Sequence, residues 1–107
     1  MEYENEIDIN GLKFRVHPVY NQYAANQCGE FININSEAIM LGCPEKSGLT
    51  CRVRAINDKK YKTMTLNRFV YECYNGIVPN DMKIVHIDDD TLNNRLSNLH
   101  MMPKRRQ

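Results

Sequence analysis

Residues 67–107 read NRFVYECYNGIVPNDMKIVHIDDDTLNNRLSNLHMMPKRRQ, and this stretch has the clearest pattern in a chain of 107 residues. Its apolar side chains, taken with the residue before it, recur at helical spacing, which predicts a helix over residues 66–74. Thr65 is a suitable N-cap for that helix. Asn75 and Gly76 form a pair that commonly ends one.

The rest of this stretch predicts two strands joined by a polar loop. Residues 82–87 are predicted to form the first strand, and the acidic residues 88–90 to begin the loop. Residues 91–97 predict a turn or short helical segment, and residues 99–102 the second strand. Pro103 suits the first position of a further helix.

Two hairpins are predicted upstream of the helix. Residues 20–35 predict a hairpin around Gly29, which supplies the permissive backbone of a tight turn. Residues 49–56 alternate apolar and polar side chains, the pattern of a half-buried strand, and the following residues return as its partner. Arg52 and Arg54 fall together on the outward face of that strand.

The order of these features resembles the HNH endonucleases of the His-Me (ββα-metal) finger class, in particular the small homing-type group. The matching residues are Arg68, Phe69, Val70, Glu72, Asn75, Gly76, Pro79, His86, Ile87, Asn94, Arg95, Leu96, Asn98 and Leu99. A second part of the chain, residues 17–35, resembles the N-terminal part of related HNH proteins through His17, Pro18, Val19, Tyr20, Tyr23, Ala24, Ala25, Gly29 and the strand at 31–34.

The resemblance implies an α+β fold, with small antiparallel β-hairpins packed on a short helix and a C-terminal ββα (His-Me) finger that this chain would carry in truncated form. One HNH-like domain is expected over residues 1–107, because the chain is too short for two cores. Within it we distinguish an N-terminal segment (1–16, frayed or an edge strand in its first ten residues), a β-hairpin region (17–65) and the helix plus finger (66–107).

The resemblance also implies the site. His86 takes the position of the general base, and Asn98 that of the middle asparagine, which fixes the loop so that the imidazole points correctly. A partly buried strand histidine without a catalytic role is the alternative for His86 taken alone. Mg²⁺, or Mn²⁺, is the cofactor expected if the chain is active.

Metal ligation is where the sequence departs from the family. An Asp or Asn usually precedes the histidine, and here Val85 has no lone pair to offer a hard cation. The second ligand position falls on Gln107, whose amide oxygen is a weak candidate. Asp88 is another weak candidate, although a solvated turn is the better reading of residues 88–90. Asn67 replaces the histidine that usually precedes Arg-Phe-Val.

Zinc is not expected. The four cysteines, Cys28, Cys43, Cys51 and Cys73, include no C-x-x-C pair, and structural zinc sites usually contain one. Cys51 and Cys73 fall on inward faces, where cysteine behaves as a small hydrophobic residue. A zinc site completed by His17 or His100 is the rejected alternative.

The charges are unevenly distributed: residues 1–45 sum to −5 and residues 46–75 to +5, although the whole chain sums to +1. Such a basic segment predicts a surface for a polyanion. The residues predicted to contact nucleic acid are Arg52, Arg54, Lys59, Lys60, Lys62, Arg68, Arg95, Lys104, Arg105 and Arg106. A solvated hairpin and a charged terminus are the alternative, with Arg68 pairing with Glu72 and Arg95 with the acidic loop.

The expected function is that of an HNH-type, endonuclease-like protein that binds DNA, or RNA, and hydrolyses DNA phosphodiester bonds with a divalent metal if it is active. The alternative is an inactive HNH-derived module that binds nucleic acid or serves in a larger assembly. No run is long enough to cross a bilayer, and the acidic N-terminus is unlike a secretory signal, so an intracellular protein is expected. The nucleic-acid target and the oligomeric state are left open.

Overall fold

The computed structural model describes residues 6–40, 42–45, 48–55 and 57–104. Its elements are three antiparallel sheets and one α-helix, so the predicted α+β fold is confirmed. Among the described residues, no helix is long and apolar enough to cross a membrane.

The first sheet contains five strands that follow one another in chain order, each antiparallel to the next. They are β1 (Glu6–Ile9), β2 (Leu12–Val16), β3 (Tyr23–Ala25), β4 (Phe31–Asn33) and β5 (Ala38–Met40). The predicted hairpin around Gly29 is β3–β4. Residues 6–16 contribute the first two strands of the same sheet, with β1 at its edge, so these residues are continuous with the hairpin region.

The second sheet has three strands, β6 (Cys43–Glu45), β7 (Gly48–Val53) and β8 (Lys62–Thr65). The predicted alternation holds over the end of β7, where Cys51 and Val53 are buried and Arg52 is exposed. It is wrong at Thr50, which is buried because its hydroxyl donates to the Cys43 carbonyl of the neighbouring strand at 3.2 Å. β7 ends three residues before the predicted boundary.

The helix α1 (Leu66–Asn75) follows β8 without a loop. Thr65 occupies the N-cap position with extended backbone, but its side chain makes no capping hydrogen bond, contrary to the prediction. Gly76 ends the helix with a positive φ of 90°, and its amide donates to the carbonyl of Glu72.

The last sheet is the hairpin of β9 (Met82–His86) and β10 (Leu99–Pro103), with a single 3-10 turn (Leu96–Asn98) immediately before β10. Pro103 ends β10 and does not begin a helix. The residues that would continue the finger as a helix, 105–107, lie outside the described residues.

The main core forms where the sheets meet α1. Phe69 and Val70 of the helix are fully buried. They belong to one cluster with side chains from the first sheet, the second sheet and β10, namely Tyr23, Ala25, Phe31, Cys51, Val53 and Leu99. The helix therefore holds the finger hairpin against both of the other sheets.

Candidate functional site: the β9–β10 hairpin and its basic surroundings

His86 is the last residue of β9, half-buried and paired across the hairpin with Leu99. Because Leu99 is part of the main core, the end of β9 is fixed by packing. The strand is also bonded to the helix, since the Asn67 side-chain amide donates to the carbonyl of Ile84 at 3.3 Å. The asparagine that replaces the usual histidine thus ties the start of α1 to the strand that carries His86.

Asn98 holds both ends of the finger loop. Its side-chain oxygen accepts from the Asp88 amide at 3.1 Å, and its Nδ2 donates to Asp88 Oδ1 and to the Asn93 carbonyl, each at 2.9 Å. Its own carbonyl accepts from the amide of Ile87 at 2.8 Å. These contacts are consistent with the loop-fixing role that the family resemblance implies for Asn98.

Asn94 is the side chain bonded to His86. The distance from His86 Nε2 to Asn94 Oδ1 is 2.7 Å, and Asn94 is 4% exposed. Sequence reasoning placed Asn94 in the family pattern but gave it no role. The signal available in the sequence was its position in the Asn-Asn pair after the acidic loop, which alone does not identify a contact with His86.

Two glycines from different sheets lie directly against this loop. A Cβ atom at Gly29, in the β3–β4 turn, would come within 2.7 Å of the carbonyl carbon and oxygen of Asn94. A Cβ atom at Gly48, the first residue of β7, would come within 2.9 Å of the carbonyl oxygen of Thr91. The loop therefore approaches both sheets more closely than any residue with a side chain would permit.

Asp88 is engaged in the loop itself. Its Oδ1 accepts from the Asp90 amide and from Asn98, and its Oδ2 accepts from Asn93 at 2.9 Å. The hydrogen bonds from Asn93, the Asp90 amide and Asn98 hold the pKa of the Asp88 carboxyl below its usual range. Both oxygens thus have a turn-forming role, which competes with the weak prediction of metal binding.

The position before His86 does not supply the oxygen ligand that a divalent cation prefers. Val85, half-buried on β9, has only a hydrocarbon side chain, and its cross-strand partner is His100. No group of three or more His, Cys, Asp or Glu side chains within the described ranges is arranged to hold a metal ion. The other predicted ligand, Gln107, lies outside these ranges.

The cysteines divide into two pairs. Cys28 and Cys43 are exposed, whereas Cys51 and Cys73 are buried, as predicted for the two inward positions. Burial raises the pKa of Cys51 to about 12 and raises that of Cys73 as well. Both buried thiols are therefore protonated at neutral pH and behave as part of the core.

A buried polar network lies beside the helix. The side chain of Glu72 is 3% exposed, and its Oε1 lies 2.8 Å from Nε2 of His17. Its Oε2 accepts hydrogen bonds from Arg68 at 3.1 Å and from the Val78 amide at 2.9 Å. Burial alone would raise the pKa of the Glu72 carboxyl, but the hydrogen bonds from His17, Val78 and Arg68 together hold it below its usual range. The alternative role of Arg68, pairing with Glu72, is thus present in the structure.

Arg68 also lies at the meeting point of two grooves. One groove of about 600 Å³ is lined by Lys62 and Arg68 among others, and a second of about 230 Å³ by Arg68, Lys83 and Lys104. We call the set Lys62, Arg68, Lys83 and Lys104 the basic track. Three of its members were predicted to contact nucleic acid, and Lys83 was missed because it stands alone in the sequence.

The hairpin β7–β8 adds further positive charge. Arg52 and Arg54 lie over the ring of Tyr61, with guanidinium carbons 5.2 and 5.3 Å from the ring centre. Lys59 and Lys60 are exposed in the connecting turn. None of these cations forms an ion pair within the part of the chain that the structure describes.

The remaining predicted cations are less informative. Arg95 is exposed, and no ion pair with the acidic loop is seen within the described residues. Arg105 and Arg106 lie outside them. Their contact with nucleic acid stays a prediction.

Comparison with known proteins agrees with this geometry. Residues 66–107 match the family model described as HNH endonuclease. No curated protein sequence matches the chain. Among solved structures, the chain is similar to one titled "DNA binding and cleavage by the HNH homing endonuclease I-HmuI", with a TM-score of 0.61 and 23% identity over 96% of this chain and 53% of that chain.

Residues 66–107 are therefore similar to the HNH endonuclease family, and the fold of the chain is similar to that of the I-HmuI structure. The chain spans about half the length of the I-HmuI structure. At this level of identity the structural likeness concerns the fold.

Proposed function

We propose that this chain is an HNH-type, endonuclease-like protein that binds DNA along the basic track and the β7–β8 hairpin. The observation that carries the proposal is the position of Arg68. It lines both grooves, one together with Lys62 of β8 and the other together with Lys83 of β9 and Lys104, which directly follows β10. Cations that line two grooves with a shared arginine suit a phosphate backbone.

Within this function, His86 takes the position of the general base and would accept a proton from the attacking water. Mg²⁺ or Mn²⁺ is the cofactor that family membership suggests, and it would stabilise charge on the scissile phosphate. Because Val85 has no lone pair for a hard cation and the Asp88 carboxylate already accepts hydrogen bonds within the loop, we propose binding with slow or no cleavage.

An efficient endonuclease is the second candidate. The finger hairpin, the loop bonds of Asn98 and the fixed position of His86 are all present. The solved structure similar to this chain is titled for both DNA binding and cleavage. This candidate requires metal ligands other than Val85, for which Gln107 and Asp88 are the predictions.

A nicking assay combined with a binding assay separates the two candidates. Supercoiled plasmid is incubated with wild-type protein and with His86→Ala across a titration of Mg²⁺ and Mn²⁺, and duplex binding is measured by fluorescence anisotropy without metal. We expect both proteins to bind equally and neither to nick beyond a trace. Nicking that His86→Ala abolishes would establish the second candidate, and failure to bind duplex at low salt would overturn both.

A further inference from the structure

Among the described residues, the side chain of Asn94 makes one hydrogen bond, and that bond goes to His86. Asn94 Oδ1 lies 2.7 Å from His86 Nε2, while Asn94 Nδ2 is buried and has no hydrogen-bond partner among the described residues. A buried amide normally satisfies both of its polar ends. An asparagine kept in place with a single partner is therefore best explained by what it does to that partner.

We propose that Asn94 is a positioning residue that fixes the tautomer of His86. An amide oxygen can only accept a hydrogen bond, so the facing Nε2 of the imidazole must carry the proton. In the neutral ring, Nδ1 then keeps its lone pair. Nδ1 is the atom that would take a proton from water, and this part of the inference rests on the function proposed above.

The position of Asn94 is set by a distant part of the chain. Its main chain lies against Gly29, where a Cβ atom would approach to 2.7 Å, and the amide of Leu96 donates to the Gln27 carbonyl at 2.9 Å. The turn that carries Gly29 is itself held by Asn26, whose Oδ1 accepts from the amides of Cys28 and Glu30 at 3.0 Å. The β3–β4 turn is thus the support behind the residue that orients His86.

The chain contains internal controls for a test of this proposal. It has three histidines. His17 is buried, its Nδ1 accepts from the amides of Val19 and Tyr20, and its Nε2 therefore donates to Glu72. His100 is exposed, and none of its ring nitrogens has a hydrogen bond among the described residues. His17 should therefore show a protected ring N–H in every variant, and His100 should show it in none.

The experiment is nuclear magnetic resonance of protein with ¹⁵N-labelled histidine at neutral pH, without DNA or metal. In the wild type we expect two slowly exchanging Nε2–H signals, from His17 and His86. In Asn94→Leu, which has nearly the same shape but no acceptor, the His86 signal should be lost while the His17 signal remains. In Asn94→Asp, whose carboxylate can accept the same bond, both signals should be present.

Two results would overturn the proposal. One is a wild-type His86 whose slowly exchanging proton lies on Nδ1 or is absent, and the other is a protected Nε2–H in Asn94→Leu. If Asn94→Leu loses the His17 signal too, its fold has changed, and the comparison of Asn94→Asp with the wild type then decides. Absence of the His86 Nε2–H signal in Asn94→Asp would count against the proposal. None of these readouts needs catalysis, so absence of nicking would count against the second functional candidate only.

Where the protein does nick DNA, or is given a metal site, the same variants should separate in rate. Losing the correct tautomer of a general base lowers the rate by roughly 10²–10⁴-fold. Asn94→Leu should show a loss of that order with unchanged DNA affinity. Asn94→Asp should recover part of it.

Discussion

Glu72 on α1 and His17, 55 residues earlier in the chain, are joined by a hydrogen bond of 2.8 Å between two side chains that are almost completely buried. The ring of His17 also stacks on Phe69, with ring centres 4.9 Å apart. This pair fastens the segment after β2 to the helix that carries the finger. Because both side chains are buried, loss of either partner should lower the stability of the fold.

Glu72→Ala should lower the free energy of unfolding by about 3–5 kcal/mol, because it leaves the partners of a buried charge without their acceptor. His17, Arg68 and the Val78 amide would all lose a hydrogen bond. Denaturant titration followed by circular dichroism measures the change. Glu6→Ala is the matched control: its carboxylate pairs with Lys13 and Arg15 at 3.8–3.9 Å in a more exposed setting, and it should cost about 1 kcal/mol or less. Equal losses of stability in Glu72→Ala and Glu6→Ala would contradict the importance of the buried Glu72 contacts.

The free energy of unfolding should decrease at acidic pH because Glu72 becomes protonated. Its pKa is lower in the folded than in the unfolded state, so its contribution is complete above the ordinary range of a glutamate. That contribution is lost as the pH falls from this range to the lower folded value. Unfolding midpoints measured at several acidic pH values should decline less steeply for Glu72→Gln than for the wild type. Parallel curves would show that Glu72 is not responsible.

Replacing Arg52, Arg54 and Lys60 together by Ala should weaken duplex binding and reduce its salt dependence. Each lost phosphate contact lowers the slope of log affinity against log salt by roughly 0.9. Anisotropy titrations over a range of salt concentrations give the slope. Lys13→Ala, which removes an exposed charge from the first sheet, should change neither quantity. A triple variant that binds like the wild type at every salt concentration would mean that the hairpin is a solvated face.

Val85→Asp, with a few helical residues carrying an Asn added after Gln107, should create metal-dependent nicking. The new carboxylate would lie across the hairpin from His100 and would supply the oxygen ligand that the wild type lacks. Adding His86→Ala should abolish the activity. Val85→Thr on the same extended chain keeps the branched shape without the carboxylate and should remain inactive.

Val85 is half-buried, so the aspartate will cost stability when no metal is bound. Circular dichroism of each variant checks the fold. Mn²⁺ should raise the melting temperature of the Asp variant and leave that of the Thr variant unchanged. A correctly folded Asp variant that neither binds Mn²⁺ nor nicks DNA would refute the explanation based on the missing ligand.

The thiols should react in two classes. Cys28 and Cys43 are exposed and should be modified quickly in the native protein, whereas Cys51 and Cys73 should react only after unfolding, because burial raises the pKa of both. A chromogenic disulfide reagent counts the thiols before and after denaturant. Zinc analysis should find well under one equivalent, and a chelator should not change the melting temperature. Four slow thiols together with one bound zinc would overturn this prediction.

Local patterns were enough to predict α1 and the β9–β10 hairpin, because these elements are encoded by spacing within a few residues. α1 and β9 begin at the predicted residues and end within one residue of the predicted boundaries. The prediction of a side-chain cap by Thr65 was wrong, since residue preferences indicate the N-cap position but not the orientation of the hydroxyl group. β1 and β2 were not predicted as a pair, because their place beside β3 depends on contacts that no local window contains.

Single residues of the candidate site could be proposed from the sequence, whereas contacts between residues far apart in the chain could not. His86 and Asn98 could be named from their places in a known order. Residues far apart in sequence meet in three places: Asn94 contacts Gly29, Glu72 bonds to His17, and Arg68 lines both grooves together with distant lysines. Lys83 shows the same limit for charge, because its neighbours Arg68 and Lys104 are assembled by folding.

The close approach of Gly29 and Gly48 to the finger loop bears on how this protein can be dissected or recombined. The segment that matches the family model begins at residue 66, so both glycines lie outside it. A fragment cut at that boundary would keep every residue of the HNH pattern yet lose the two surfaces against which Thr91 and Asn94 rest. Grafting the finger onto another scaffold would therefore require two backbone-only contact points to be rebuilt, and a screen for portable nuclease modules should transfer residues 26–30 and the start of β7 together with the motif.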